Sequence, residues 1–335
     1  MKEYEIRPRE IFDEYLRISK ADIPKFFSET GQFVKVSCPA CGEPEQKSEF
    51  TKHGFQYVSC PVCESLYVSP RPTAEMINRF YRDSDSSRYW AEVFFPRTAE
   101  ARRAHIFQPR AEMIGAIVDR FKTPRPRVLV DVGAGIGLFL EAAKTTTLFD
   151  EVIGIEPGKD LARVCRERGH TVIEKRAEDV LPSEMRASVA TSFEVFEHLY
   201  DPGAFIRSMA NIVVPDGLVI FTTLSVTGFD LQVLWDRSKS ISPPHHINFL
   251  SIPGFARLIE RCGLQLLDVM TPGRLDVDIV RNMALEDPEL ELPRFVRSML
   301  KLAETGHYPH LLSRLQTFLS DSSLSSHVCV IARKA

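Results

Sequence analysis

"VLVDVGAGIGLFL", residues 128–140, decides the fold: a run of apolar residues enters three glycines at alternate positions and then continues at helical spacing. Such a pattern reads as strand, sharp turn and helix. Gly133, Gly135 and Gly137 let the backbone turn tightly and let a ligand approach the helix amino terminus, where unpaired N–H groups point outward. Working outward, the chain alternates from residue 127 onward. Strands are predicted at 127–132, 151–155, 170–174, 187–193, 217–223, 264–270 and 327–333, and helices at 136–146, 159–168, 202–213 and 252–262. Alternation of this kind implies right-handed crossovers and a parallel sheet covered on both faces. Residues 272–326 interrupt it with more than one helix, the length of a substrate-site cover or interaction element.

The residues flanking the glycines bear on the ligand. A dinucleotide fingerprint would be G-x-G-x-x-G, but the third glycine comes one residue early and Leu138 fills the expected place. Asp131 closes the first strand, where a carboxylate repels a pyrophosphate and attracts a sulfonium or ammonium group. Glu156, followed by Pro157, closes the second strand in "GIEPG" and can accept hydrogen bonds from ribose hydroxyls. Glu178 and Asp179 in "RAEDV" follow the third strand, where they could read an adenine amino group.

Five segments in order, "DVGAGIGLFL", "GIEPG", "RAEDV", "TSFEVFEHLYDP" and "VPDGLVIFTT", resemble the successive motifs of class I S-adenosylmethionine-dependent methyltransferases. The resemblance covers about residues 127–270 and the last strand. It implies a Rossmann-like seven-stranded sheet with an antiparallel last strand. S-Adenosyl-L-methionine would lie over the first two strands, held by Asp131, Gly133, Ala134, Gly135, Gly137, Glu156, Pro157, Glu178, Asp179, Phe193 and Glu194. The segment lacks the Asn/Asp-Pro-Pro-aromatic signature used to hold an exocyclic amine, which favours a hydroxyl or carbon acceptor. "YVSPRPTAEMINRFY" and the cysteines before it resemble a subgroup containing zinc-dependent sugar methyltransferases. That likeness implies a sugar or nucleotide-linked glycan precursor as acceptor.

Three histidines are candidates for catalysis. His198 lies four residues after Glu194, within one helical turn. His245 and His246 stand in "SISPPHHINFLS" after the fifth strand, where an acceptor is expected; imidazole titrates near neutral pH, as a general base requires. In that sugar subgroup the base is a histidine in an acid-His-x-x-x-Phe-Ser setting, which His246 with Phe249 and Ser251 resembles, although His245 replaces the acidic neighbour. A hydrogen-bonded scaffold role stands beside catalysis for all three. Tyr81, Tyr89 and Trp90 with Arg88, Arg97 and Arg103 form an aromatic and basic stretch that reads as a lid or as a helix on the sheet edge. Arg274, Asp276 and Asp278 read as acceptor contacts or as surface pairing.

Cys38-Pro-Ala-Cys41 and Cys60-Pro-Val-Cys63 are two C-x2-C knuckles 18 residues apart, the spacing of a tetrathiolate zinc ribbon. Four thiolates fill a tetrahedral shell, so the expected Zn2+ is structural. Cys165, Cys262 and Cys329 sit in apolar segments and are expected to be buried.

The chain thus divides into an amino-terminal segment with the ribbon (1–70), a helical connector or lid broken by a loop at 83–87 (71–126), and the donor-binding domain (127–335). Its 335 residues are 44% hydrophobic with a formal net charge of −3, so no basic field draws it to nucleic acid. No apolar run approaches a membrane span, and "MKEYEIRPREIFDEYL" lacks a signal-peptide centre. The expectation is a cytoplasmic enzyme with a small-molecule acceptor and an open oligomeric state. An RNA or protein methyltransferase that docks through the ribbon, and a non-catalytic scaffold, are the alternatives.

Overall fold

The structure, a computed structural model, describes residues 2–335. It opens with helices α1 (Glu3–Ile6) and α2 (Arg9–Phe26), then strands β1 (Lys47–Lys52), β2 (Phe55–Ser59) and β3 (Leu66–Val68). The connector follows as α3 (Ala74–Asp83), α4 (Asp85–Tyr89), α5 (Phe95–Arg102) and α6 (Gln108–Arg120), with π-turns at Trp90–Phe94 and Arg103–Phe107. Then come β4 (Val128–Val132), α7 (Leu138–Thr145), β5 (Glu151–Ile155), α8 (Lys159–Glu167), β6 (Thr171–Ile173) and β7 (Ala187–Phe193). After these lie α9 (Pro202–Ile212), β8 (Val213–Leu224), α10 (Phe229–Leu234), β9 (Asn248–Phe249), α11 (Ile252–Arg261) and β10 (Leu264–Met270). Helices α12 (Asp276–Glu286), α13 (Arg294–Glu304) and α14 (Leu311–Asp321) precede β11 (His327–Lys334).

The main sheet has seven strands in the order β10-β11-β8-β7-β4-β5-β6. Its last strand, β11, runs antiparallel to both β8 and β10, while β8, β7, β4, β5 and β6 are parallel. The expected seven-stranded α/β methyltransferase sheet is therefore observed. Chain order reverses between β4 and β7, the switch point outside which open α/β sheets bind ligands. Short polar residues start two of the helices that cover the sheet. Asp201 caps α9 by accepting from Ala204 N at 2.9 Å, and Ser251 caps α11 by accepting from Gly254 N at 3.0 Å.

Side chains alternate across the strands, so each strand feeds two cores. Leu129 and Val189 face α6 and α7, packing with Ile114, Ile117, Leu138 and Phe139. Val130, Val132 and Ala190 face the other way, toward α9, α11 and the cysteine knuckles, whose Cys38, Ala40, Cys60 and Tyr67 share that core. A second sheet, β1-β2-β3-β9, takes its fourth strand from the segment after β8, so the knuckle region is stitched to the histidine loop.

Two features differ from the sequence reading. The Ser/Asp-rich stretch 83–87 is helical from Asp85, because Ser84 turns its hydroxyl back to accept from Ser87 N and starts α4. In addition α2, to which the sequence reading assigns no element, packs against α4 and the first π-turn through Tyr15, Trp90 and Phe94.

Candidate active site

The alternation that builds the α6-side core also builds the site. Asp131 shares the parity of Leu129, and Thr191 and Phe193 share that of Val189, so all three point to the α6 face at the carboxyl ends of β4 and β7. Thr191 Oγ1 donates to Asp131 Oδ1 at 2.9 Å, and Phe193 packs on Phe139 with ring centroids 4.4 Å apart. Burial pushes the Asp131 carboxyl up to about 7, with the Thr191 bond and the Arg110 charge acting against that rise.

Gly133, Gly135 and Gly137 all take positive φ, which favours glycine. A Cβ at Gly133 would strike Val195, and one at Gly137 would strike Cys165 and His170; at Gly135 it would meet open space. The middle of the loop therefore faces a crevice while its ends are packed. Ala134 lies beneath, against β5 at Gly154. Glu156 accepts from Gly135 N and Gly158 N, both at 2.8 Å, and burial raises its carboxyl. Pro157 follows it into the turn before α8. Glu178 and Asp179 stand exposed at the rim after β6, where Asp179 pairs with Arg176 at 2.9 Å. A buried acid at the strand end, a loop with an open middle and a second acid closing the next strand match the shape and charge of a cationic nucleoside.

At the end of β7, Glu194 adopts φ +55°, a strained conformation for a residue with a Cβ. Its Oε1 accepts from Arg110 Nη2 at 2.6 Å, His327 Nε2 at 2.9 Å and Thr222 Oγ1 at 2.8 Å. Burial would raise this carboxyl, but His327, Arg110 and the hydrogen bonds outweigh it and hold Glu194 ionised. The Arg110 guanidinium lies 4.9 Å over the Phe193 ring, so α6 is clamped to the carboxyl end of β7 through both residues.

The histidines gather beside this clamp. His246 Nδ1 lies 2.6 Å from Ser240 O, and His198 Nδ1 lies 3.0 Å from His245 O. A carbonyl can only accept, so His246 Nδ1 carries the proton and its Nε2 presents a lone pair, whereas His198 Nδ1 also meets Tyr81 Oη at 2.9 Å, a hydroxyl able to donate to it. Burial holds His246 down at about 4 and His198 at about 3, so both rings are neutral near pH 7. Glu197 stands with them, buried and pushed up to about 8, one oxygen accepting from Thr223 Oγ1 at 2.7 Å. One atom each of Glu197, His198 and His246 lie within 4.8 Å of one another, close enough to share an ion. The Nδ1–H of His246 is tied to a carbonyl, as in metal-ligating histidines. His245 is different: its ring is buried among Tyr15, Phe80 and Tyr81 and its Nε2 has no partner among the described residues.

Cys38, Cys41, Cys60 and Cys63 bring their sulfurs within 4.8 Å of one another, with Cys38–Cys63 at 3.5 Å and Cys41–Cys60 at 3.4 Å. The sulfurs of a tetrahedral zinc site sit at about this spacing, given Zn–S near 2.3 Å. Cys165 and Cys329 are buried as expected, and Cys262 is half-buried. The cysteine cluster and the histidine loop are joined directly. Tyr57 Oη donates to His246 O at 2.7 Å, Val68 N donates to Ile247 O at 3.0 Å, and Ser251 Oγ donates to Cys63 O.

Other residues fall outside this arrangement. Arg88 and Arg103 pair locally with Asp85 and Glu100, and Arg97 is exposed. Asp276 is buried and accepts from Ser325, Ser326 and Gln316, while Asp278 accepts from Lys2 and Glu3, so both hold the α12–α14 insertion in place. Arg110, Glu197 and His327, which the sequence reading does not name, belong to the site instead. Arg110 carried a readable signal, because helical spacing puts it on the stripe of Phe107, Ile114 and Ile117, where a charge needs a partner.

Comparison with known proteins agrees with this geometry. Residues 103–269 match a family model described as a methyltransferase domain. The ubiquinone biosynthesis O-methyltransferase of Bradyrhizobium sp. (strain ORS 278) is 34% identical over 143 residues, covering 36% of this chain and 55% of the relative. The enzyme of the same description from Neisseria meningitidis serogroup C is 31% identical over 143 residues, covering 40% of this chain and 58% of the relative. The chain thus spans little more than half the length of these curated relatives. A solved structure from Thermotoga maritima, described as a SAM-dependent methyltransferase and possible histamine N-methyltransferase, aligns at TM-score 0.44 and 16% identity over 72% of this chain and 98% of that one. Among the described residues no helix is long and apolar enough to cross a membrane. Residues 103–269 are therefore a class I S-adenosylmethionine-dependent methyltransferase domain.

Proposed function

We propose that this protein transfers a methyl group from S-adenosylmethionine to an oxygen of a small-molecule acceptor. One observation supports the reading: the carboxyl end of β7 joins Asp131 and His246, because Thr191 bonds Asp131 at 2.9 Å and His198, just beyond the strand, has its ring centroid 4.8 Å from that of His246. Asp131, Gly133, Ala134, Gly135, Gly137, Glu156, Pro157, Phe193 and Glu194 would hold the donor, with Glu178 and Asp179 at the adenine rim. When bound, the donor supplies a methyl group activated by its sulfonium.

The chain's residues do the rest. Ionised Asp131 stabilises a cation in a low-dielectric crevice, and Glu156 exchanges its backbone N–H partners for hydroxyls. His246 Nε2, neutral and fixed by its Nδ1–H bond, takes the acceptor's hydroxyl proton. Tyr15, Trp90 and Phe94 close the α2 side with apolar surface and keep water out. Cys38, Cys41, Cys60 and Cys63 would hold a structural zinc ion that anchors the backbone of His246 through Tyr57. Sugar-containing compounds are one acceptor class, and precursors of the kind named by the relatives' description, ubiquinone biosynthesis, are another.

A second reading of the same side chains rests on their grouping and on the tied Nδ1–H of His246: Glu197, His198 and His246 would hold a divalent ion that orients and acidifies the acceptor hydroxyl. Mn2+ titrated into the zinc-loaded protein and followed by electron paramagnetic resonance tests this, since bound Mn2+ lost on His246→Ala supports it. For the main reading, methyl-labelled donor is incubated with extract fractions sorted into nucleotide sugars, phenolic small molecules and RNA. Label in a small-molecule fraction supports it, and label confined to RNA or protein, or none with donor bound, refutes it.

A further inference from the structure

Arg102, on the last turn of α5, is 8% exposed and makes no side-chain hydrogen bond or ion pair among the described residues; its Nε is buried without a partner. Arg110, the next inward-facing arginine of the connector, is equally buried and leaves Nη1 unsatisfied despite its bond to Glu194. A buried guanidinium without a counter-anion is strongly unfavourable, so two adjacent sets of empty donors call for one. The resident anion is already engaged, since Glu194 Oε1 accepts from Arg110, His327 and Thr222 together. The surroundings add positive charge. Burial, aided by the charges of Arg7 and Arg110 and opposed by that of Glu194, holds Arg102 down to about 9. Arg102 keeps its place by stacking 5.5 Å over Phe95 and 6.0 Å over Phe107.

Arg102 and Arg110 flank one ring, lying 6.0 and 5.8 Å from the centroid of Phe107, and Arg110 bonds Glu194 at the end of β7, so the unpaired donors stand beside the candidate site. We propose that Arg102, with Arg110, receives an anionic group, a carboxylate or phosphate, on the acceptor molecule and so orients the acceptor hydroxyl toward His246. This rests on the methyltransferase reading above. It makes Arg102 a substrate-binding residue and the acceptor class an acidic small molecule. Planar, bidentate recognition is what a guanidinium does best, and aromatic rings around it suit a ring-bearing acid.

Calorimetry with the zinc-loaded full chain tests it, with S-adenosylhomocysteine present to fill the donor crevice. The probes are benzoate, its neutral isostere benzamide, and inorganic phosphate. At least one anion is expected to bind roughly tenfold or more tighter than benzamide, and Arg102→Gln is expected to erase that preference. S-Adenosylhomocysteine affinity is expected to stay within about twofold, because its own contacts lie elsewhere. Thermal unfolding supplies a second readout: Arg102→Gln raises the midpoint of the free protein by removing an unpaired buried charge and abolishes the stabilisation by benzoate or phosphate. Neither anion outbinding benzamide overturns the proposal. So does an Arg102→Gln variant that loses S-adenosylhomocysteine while keeping the anion preference, since the arginine then serves the donor's carboxylate. Failure of wild type to bind S-adenosylhomocysteine is a different result, and it strikes the methyltransferase reading itself.

Discussion

Arg110 Nη2 and Glu194 Oε1 meet at 2.6 Å, and this pair locks the connector helix onto the end of the central strand. Because both side chains are largely buried, removing one partner strands the other's charge. Arg110→Gln is expected to lower stability by about 2–4 kcal/mol and to weaken donor binding by tenfold or more. Denaturant unfolding and calorimetry with S-adenosylhomocysteine check both effects. Unchanged values for both would show that the clamp does not shape the crevice.

His246 gives a prediction about pH. Burial holds its ring at about 4, so the base is unprotonated from pH 5 upward and protonates only as pH falls through 4. The rate limb that reports this base should therefore be flat between pH 6 and 8 and bend only near the acid end. His246→Ala should keep donor affinity and lose about a hundredfold or more in kcat. A bend near pH 6.5 that disappears in the variant would mean that the ring is hydrated rather than buried.

The cysteine cluster should hold about one zinc ion per chain. Chelation is expected to lower kcat as well as stability, because Tyr57 and β9 connect the knuckles to His246. Tyr57→Phe isolates that connection: it keeps the metal and removes the bond to His246 O, so a several-fold loss of kcat with zinc retained is expected. Metal analysis beside initial rates decides it.

How far the sequence foretold these features follows from locality. The strands and crossover helices were readable because burial on both faces leaves near-continuous apolar runs, as in "ASVATSF", broken by glycine and proline. The glycine loop, Asp131 and Glu156 were readable because a strand end and the following turn are adjacent in the chain. His246 was readable as a polar island. Glu197 lay inside a quoted motif, but its burial depends on Thr223 across the sheet. His327 opens the last strand and reaches Glu194 only through strand pairing 133 residues away. Helix α2 is weakly marked because Pro24 lies inside it and its apolar face is spaced for the connector rather than for the sheet. Arg110 was readable from its place on the apolar stripe of α6, whereas Arg102 was masked, because the π-turn after it shifts the helical register that a 3.6-residue period assumes.

The measurement that tests the central claim most directly is donor affinity against pH for wild type and Asp131→Asn. The buried carboxyl sits at about 7, and a cationic ligand favours its ionised form, so wild-type affinity for S-adenosylmethionine should rise from pH 6 to pH 7.5. The asparagine variant, which cannot ionise, should bind at least about tenfold more weakly at pH 7.5 and lose this rise. Equal affinity in both proteins, or a wild-type protein that takes up NAD and ignores S-adenosylmethionine, would contradict the account.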